Sequence, residues 1–207
     1  MKRILLAVTV LLFTVAASAQ EQDKNPEGAY LPLFGHHQGK LLVASPGMPD
    51  IRFRQSVILL VEHNEKGAFG LIVNRVVRKM PLAMLFMSFG MKAPRDMSQV
   101  DIHYGGPVSP DSGFVLHTRE HLFDGAYEVD GNVAVSTVDS VLRAMAQGKR
   151  PSKLVIVVGY TGWGAGQLEH EMRRGDWYMA PAGQDILFDD EHANKWKRAM
   201  ERRFRVL

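Results

Sequence analysis

The 207-residue sequence contains no cysteine. This absence excludes disulfide bonds, thiolate metal sites, a thiol nucleophile and lipid attachment at an N-terminal cysteine. Any catalytic or metal-binding chemistry must therefore use other side chains.

The sequence also carries little excess charge: 25 lysines and arginines stand against 22 aspartates and glutamates, which gives a formal net charge of +3. Lys2 and Arg3 supply two of these positive charges, so residues 20–207 carry only +1 (3 minus 2). A nearly neutral chain gives no electrostatic reason to expect a nucleic-acid partner.

Residues 1–19 have the pattern of a secretory signal peptide. Lys2 and Arg3 precede an uncharged apolar run at 4–15, and Ala17, Ser18 and Ala19 form a small-residue cleavage site. The apolar run is too short for a membrane span. We therefore expect a mature chain that begins at Gln20, has no transmembrane segment and is periplasmic or secreted.

Residues 20–39 are polar and rich in proline and glycine, which predicts a linker in front of one domain at 40–207. Strands are predicted at 41–44, 56–62, 68–74, 101–104, 114–117, 153–158 and 177–179. Helices are predicted at 81–89, at 136–147 with Ser136 as the cap, at 167–174 and from about 189 onward. Strands dominate the first half and helices are scattered among them, which indicates an α+β domain rather than a doubly wound sheet.

The glycine-rich segment 159–166 is predicted as a turn between a buried strand and a helix. It contains neither a Walker lysine nor the spacing of a dinucleotide fingerprint. The turn could hold an anion at the helix N-terminus, or it could be a tight turn that lets Trp163 cap the core. Glu169 could pair with Arg173 on an exposed helix face, or act as an acid or base at the mouth of a pocket.

Five ordered blocks resemble the YqgE/AlgH family: 44–48, 56–64, 67–75, 105–117 and 159–169. The resemblance implies an α+β fold with a mixed, barrel-like sheet and flanking helices. It implies no established activity and no catalytic residues that can be transferred. The family's label as a transcriptional regulator comes without a DNA-binding motif. The candidate ligand-binding residues within these blocks are Asn74, Gly162, Trp163, Gln167 and Glu169.

Two features depart from the family pattern. Relatives usually begin near the position of Gly39 and remain in the cytoplasm, whereas this chain has an export signal and a linker in front. Relatives also tend to carry a charged amphipathic helix at 81–91, where this sequence has no charged residue. A helix that is apolar on all sides is either wholly buried or presents an apolar face to a partner.

We expect this apolar segment to mediate self-association or a protein contact through Met84 and Met87. Met80, Met84, Met87 and Met91 would share one helical face, which also raises Cu(I) capture by thioether sulfur. Adaptable packing of methionine in the core is the explanation that we favour. His117 lies on a predicted strand, where four residues span about 13 Å, so His117 and His121 are expected to be too far apart to share a metal ion. We predict no metal site and no cofactor.

The final helix places acids at its start and bases in its later turns, as the helix dipole prefers. Ala193, Trp196, Met200 and Phe204 form the predicted inward stripe, and the basic residues, Lys195 included, are assigned to a solvated face. The function that this sequence favours is a non-catalytic binding or protein-interaction module for an unidentified protein or small ligand. The alternatives are an enzyme with an unassigned hydrolytic pocket and a periplasmic methionine-rich copper binder.

Overall fold

Ten strands and five α-helices form the part of the chain that the computed structural model describes, residues 37–92, 95, 98–121 and 123–204. The predicted signal peptide and all but the last three residues of the predicted linker lie outside this part. The strands are β1 (Lys40–Ala44), β2 (Val57–Asn64), β3 (Gly67–Ile72), β4 (Val76–Pro81), β5 (Gln99–Tyr104), β6 (Val108–Thr118), β7 (Tyr127–Glu128), β8 (Val133–Thr137), β9 (Leu154–Gly164) and β10 (Trp177–Pro181). The helices are α1 (Leu82–Ser88), α2 (Val138–Ala146), α3 (Gln167–Arg173), α4 (Gln184–Leu187) and α5 (His192–Glu201), and a short 3-10 helix covers Ile51–Phe53.

The strands form one curled sheet in the order β10-β1-β2-β3-β9-β6-β8-β7, and β5 links β4 to β9. Among the strand pairs of the described residues, the pairing of β5 with β9 alone is parallel. The sheet is thus mixed and resembles half of a barrel, with helices packed on its faces. The predicted α+β class and barrel-like sheet are confirmed.

Strand β9 holds the two parts of the sheet together. Its first half pairs with β5 and β6, and its second half pairs with β3. The change of partner occurs beside Gly159, which has a φ of 71°. A Cβ at Gly159 would lie 2.4 Å from the carbonyl oxygen of Gly106, so only glycine permits this approach.

Alternate residues of the strands supply three apolar clusters. Leu41 and Val43 face a cluster that α4 and α5 cover, whereas Leu42 and Ala44 face one that α3 covers. The third cluster lies under α1 and α2, to which Phe86 and Leu142 contribute. No helix in the described part of the chain is long and apolar enough to cross a membrane.

Several local predictions were wrong. The strand predicted at 153–158 continues to Gly164, so most of the predicted glycine turn is strand, because pairing with β3 satisfies its backbone. Helix α2 is capped by Thr137, while Ser136 belongs to β8. Strands β4, β7 and β8 and helix α4 were not predicted.

The prediction of which residues of the last helix face inward was also wrong in part. Ala193 is exposed, whereas Lys195 is completely buried. The ammonium of Lys195 donates hydrogen bonds to the carbonyl oxygens of Leu187 at 3.0 Å and Val73 at 3.3 Å. These bonds offset the cost of burying the charge, which a helical pattern of apolar residues does not reveal.

Candidate functional site

Trp163 and Trp177 share one carboxylate oxygen of Glu171. Their indole Nε1 atoms donate to Glu171 Oε2 at 2.9 and 2.8 Å, and the two rings meet edge to face at 5.9 Å. Gln167 donates to the other oxygen at 2.9 Å and accepts from the backbone N–H of Gly164 at 3.1 Å. Because both indoles are buried, this network anchors α3 to β9 and β10.

Glu169 lies on a different side of the same helix and is buried against His63. Its Oε1 is 2.8 Å from His63 Nε2, and both side chains are less than one tenth exposed. The backbone N–H of His37 donates to His63 Nδ1 at 3.4 Å, which assigns the imidazole proton to Nε2 as the donor to Glu169. The assignment of Glu169 to an exposed helix face was therefore wrong.

Asn74 lies at the opposite end of the β2–β3 hairpin from Trp163. Ala68 pairs with both His63 and Trp163, and Asn74 follows it by six residues, or about 20 Å of extended chain. The side chain of Asn74 accepts from Val57 N–H at 2.9 Å and donates to Gln55 O at 2.8 Å. It holds the connection between β1 and β2.

The five candidate ligand-binding residues thus do not share one cleft in this structure. Trp163 and Gln167 belong to one network, Glu169 to a second and Asn74 to a third, while Gly162 pairs with Phe69 inside the sheet. Helix α3 has only seven residues and carries Glu169 in its first turn, which disfavours an anion there. Whether any of these residues binds a ligand stays a prediction.

Two residues that sequence reasoning missed are Glu171 and Ser136. Ser136 Oγ lies 2.9 Å from His117 Nε2, and His117 Nδ1 donates to Thr118 O at 2.9 Å. This pair resembles a nucleophile with its base, but Ser136 is 2% and His117 0% exposed. Ser136 is the strand partner of Val115, and His117 follows Val115 by two residues, so all three lie on the same face of the sheet. Val115 belongs to the third cluster, and Ser136 and His117 therefore lie under α2 as well.

The four methionines do not line one helical face. Only Met84 and Met87 belong to α1; Met80 lies in β4, and Met91 follows the helix, where both are partly buried. Among the described residues, no group of three or more histidine, aspartate or glutamate side chains is arranged to hold a metal ion.

A histidine pair connects β5 to α5, with His103 buried and His192 partly buried. His103 Nε2 lies 3.4 Å from His192 Nδ1, and His192 Nε2 lies 3.1 Å from Asp101 Oδ2. Burial lowers the pKa of His103 to about 4, and the nearby charges of His192 and Lys195 act in the same direction. Burial likewise lowers the pKa of Lys195 to about 8. The sequence contained no signal for this cluster, because its members are far apart along the chain.

The chain is similar to proteins of one uncharacterised family. A family model described as AlgH-like (DUF179) matches residues 41–204. A UPF0301 protein of Paracoccus denitrificans is 40% identical over 166 residues, which cover 79% of this chain and 87% of that protein. A UPF0301 protein of Methylocella silvestris is 37% identical over 191 residues, with coverage of 88% and 90%.

Two solved structures have a similar fold. The solution structure of the AlgH protein from Pseudomonas aeruginosa is 38% identical, with a TM-score of 0.69 and coverage of 86% of this chain and 92% of that one. A crystal structure of a Corynebacterium diphtheriae protein is 23% identical, with a TM-score of 0.62 and coverage of 79% and 85%, and supports the fold alone.

Replacing Trp163 with alanine should destabilise the protein by about 3 to 5 kcal/mol, because it leaves a cavity in the second cluster and removes one donor to Glu171. Urea denaturation followed by circular dichroism measures this change. The exposed His170 on the same helix is the control, and His170→Ala should change the free energy of unfolding by less than about 0.5 kcal/mol. A small effect of Trp163→Ala would contradict a structural role for the indole.

The buried His103 should make the protein sensitive to acid. The unfolded chain binds this proton near pH 6.5 but the folded chain only near pH 4, so stability is full above 6.5 and is lost as the pH falls to 4. The loss from this group is about 3 kcal/mol. Denaturation midpoints of His103→Gln should therefore fall less between pH 7 and 4 than those of the wild type or of a His170→Gln control. Parallel pH profiles for all three proteins would refute this assignment.

Proposed function

The chain belongs to the AlgH-like family, whose biochemical activity is not established, and from that premise we propose that it is an exported, non-catalytic protein-interaction module. The proposed contact surface is the outer face of α1 and the residue after it, Met84, Met87 and Phe89. The proposed partner is a protein that presents an apolar group within an acidic surround.

The observation that carries this proposal is the division of α1 into two apolar faces. Leu82, Leu85 and Phe86 are buried in the third cluster. Met84, Met87 and Phe89 are 56%, 64% and 40% exposed. Methionine suits a contact surface because its flexible, polarizable side chain adapts to the shape of a partner.

The charges around this surface favour an acidic partner over a second copy of the chain. Residues 66–95 contain no aspartate or glutamate but six lysines and arginines. Arg78, just before α1, and Lys92 and Arg95, just after it, are exposed. Lys79 is exposed as well but is paired with Asp101 at 3.2 Å. A second copy in a symmetric contact would bring two basic rims together, which is unfavourable, whereas acidic groups would complement them.

The two rival functions receive less support. For an enzyme, two pairs look like catalytic partners: His63 with Glu169, and His117 with Ser136. All four side chains are buried, and the two members of each pair are hydrogen-bonded to one another. For a copper binder, only Met84 and Met87 of the four methionines are exposed on α1. Two thioethers with no third described ligand make a weak site.

A photo-crosslinking amino acid placed at position 84 or 87 in cells should attach to one acidic protein, whereas one at the exposed Ile51 should not. With that protein purified, replacing Met84 and Met87 together by glutamate should weaken binding at least about tenfold, through lost apolar contact and charge repulsion. The matched double lysine variant should bind more tightly than the glutamate variant. Both should remain within about 0.5 kcal/mol of wild-type stability, because both positions are exposed.

Three results would contradict the proposal. Crosslinks to a second copy alone, together with a dimer in sedimentation that the glutamate variant loses, would assign the surface to self-association. Equal binding by the glutamate and lysine variants would contradict an acidic partner. Stoichiometric Cu(I) binding by the wild type, lost in the glutamate variant, would favour the metal-binding alternative.

Export is the second element of the proposal, and the basic start, apolar run and Ala17-Ser18-Ala19 site support it. We expect the native protein to begin at Gln20 and to be recovered outside the cytoplasm. Intact-mass and N-terminal peptide measurements on the fractionated native protein check this. Replacing Ala19 with a bulky residue should retain the leader. An N-terminus at Met1, or one near Gly39, would contradict export by this route.

A further inference from the structure

A cavity of about 270 Å³ opens between the β2–β3 hairpin, β6 and β8. Its lining includes Val61 and Phe69 from the hairpin, with Phe114 from β6 and Val135 from β8. Tyr127 and Gly125 stand at its side. The volume is slightly below the range typical of pockets for drug-sized ligands, so the space suits a small group rather than a large cofactor.

Three aromatic rings line this cavity: Phe69, Phe114 and Tyr127. Phe69 and Phe114 meet edge to face with their centroids 5.7 Å apart, and Tyr160 packs against both from the same cluster. These contacts hold the rings of Phe69 and Phe114 in place without a ligand. The aromatic wall is thus preorganised.

Glu62 is the one carboxylate among the described residues that line the cavity, and no described lysine or arginine joins it there. The side chain is half-buried, and Asn64 Nδ2 donates to its Oε1 at 2.6 Å. Asn64 in turn accepts from the backbone N–H of Lys66 at 2.8 Å, which fixes the amide. The cavity therefore combines a positioned carboxylate with aromatic rings.

Tyr127 completes the rim as a neutral group. Its hydroxyl donates to the side-chain oxygen of Gln38 at 3.3 Å. Burial raises the pKa of Tyr127, and the charge of Glu62 raises it further, so the phenol stays protonated at neutral pH. Glu62 is therefore the charged side chain that a ligand in the cavity would meet.

We propose that this cavity binds an alkylammonium group, with the cation against the rings of Phe69, Phe114 and Tyr127 and its charge compensated by Glu62. Aromatic faces attract cations through their quadrupoles, and aromatic cages recognise quaternary ammonium groups in this way. The carboxylate repels anions, and a purely apolar ligand would leave a half-buried charge without a counter-charge. This site lies apart from the α1 surface and does not depend on the protein-interaction function.

The same ammonium chemistry has two possible sources, a free small molecule or a methylated lysine on a protein. Choline and the methylamide of N-acetyl-trimethyllysine are the respective probes, titrated into the full chain by calorimetry or NMR. The uncharged isostere of choline, 3,3-dimethyl-1-butanol, is the matched ligand control, because it has the same shape without the charge. We expect at least one ammonium probe to bind saturably and the alcohol to bind at least about tenfold more weakly than choline or not at all.

The variants test the two parts of the site separately. Glu62→Gln removes the charge, and Phe114→Leu removes an aromatic face while it keeps an apolar side chain. Each should weaken ammonium binding at least about fivefold. Glu201→Gln, an exposed carboxylate on α5, should leave the affinity unchanged.

Three results would overturn the proposal. The first is the absence of saturable binding of both ammonium probes to the wild type. The second is equal affinity for choline and the alcohol, which would show an apolar pocket without cation recognition. The third is wild-type affinity in Glu62→Gln. The first two use the unaltered protein, so they decide the question even where a variant fails to fold.

Discussion

The fold depends on the 11-residue strand β9, which pairs with β5 and β6 along its first half and with β3 along its second. Where β9 changes its partner, the backbones of Gly159 and Gly106 are in a contact that no side chain would allow. Trp163, near the end of β9, belongs to the second cluster. The cavity lies between strands that β9 holds side by side, β3 and β6 among them. A change at this crossing would therefore disturb both sides of the molecule.

Several polar groups where α3 and α5 pack against the sheet are arranged in closed sets. Glu171 satisfies two indoles and an amide, Glu169 satisfies His63, and Lys195 is held by two backbone carbonyls. Such closed sets stabilise the packing of α3 and α5, because each buried polar atom would otherwise lose its hydration without replacement. The groups open to solvent are different in kind: the methionine face of α1, and the cavity with the carboxylate of Glu62.

Much of the fold could be predicted from local patterns. The β2–β3 hairpin, α1 and the strand after α3 were recognised because their turn residues and apolar periodicity are local signals. The partial exposure of α1 was also predicted correctly, since seven apolar or small residues in a surface helix cannot all face inward. The candidate site was harder to predict from the sequence. Trp163 and Glu169 were both predicted as ligand-binding residues, but helical positions alone could not show that Glu171, rather than Glu169, contacts both tryptophans.

The sequence by itself determined the absence of thiol chemistry, the α+β class, the family blocks and the uncharged character of 81–91. These follow from composition, from short local patterns and from the order of those patterns along the chain. The tertiary structure decided that the glycine segment is strand, that Lys195 is buried, and that Glu62, Phe69, Phe114 and Tyr127 line one cavity. Each of these depends on contacts between residues far apart in the chain, and the backbone hydrogen bonds and burial that such contacts provide override local preference.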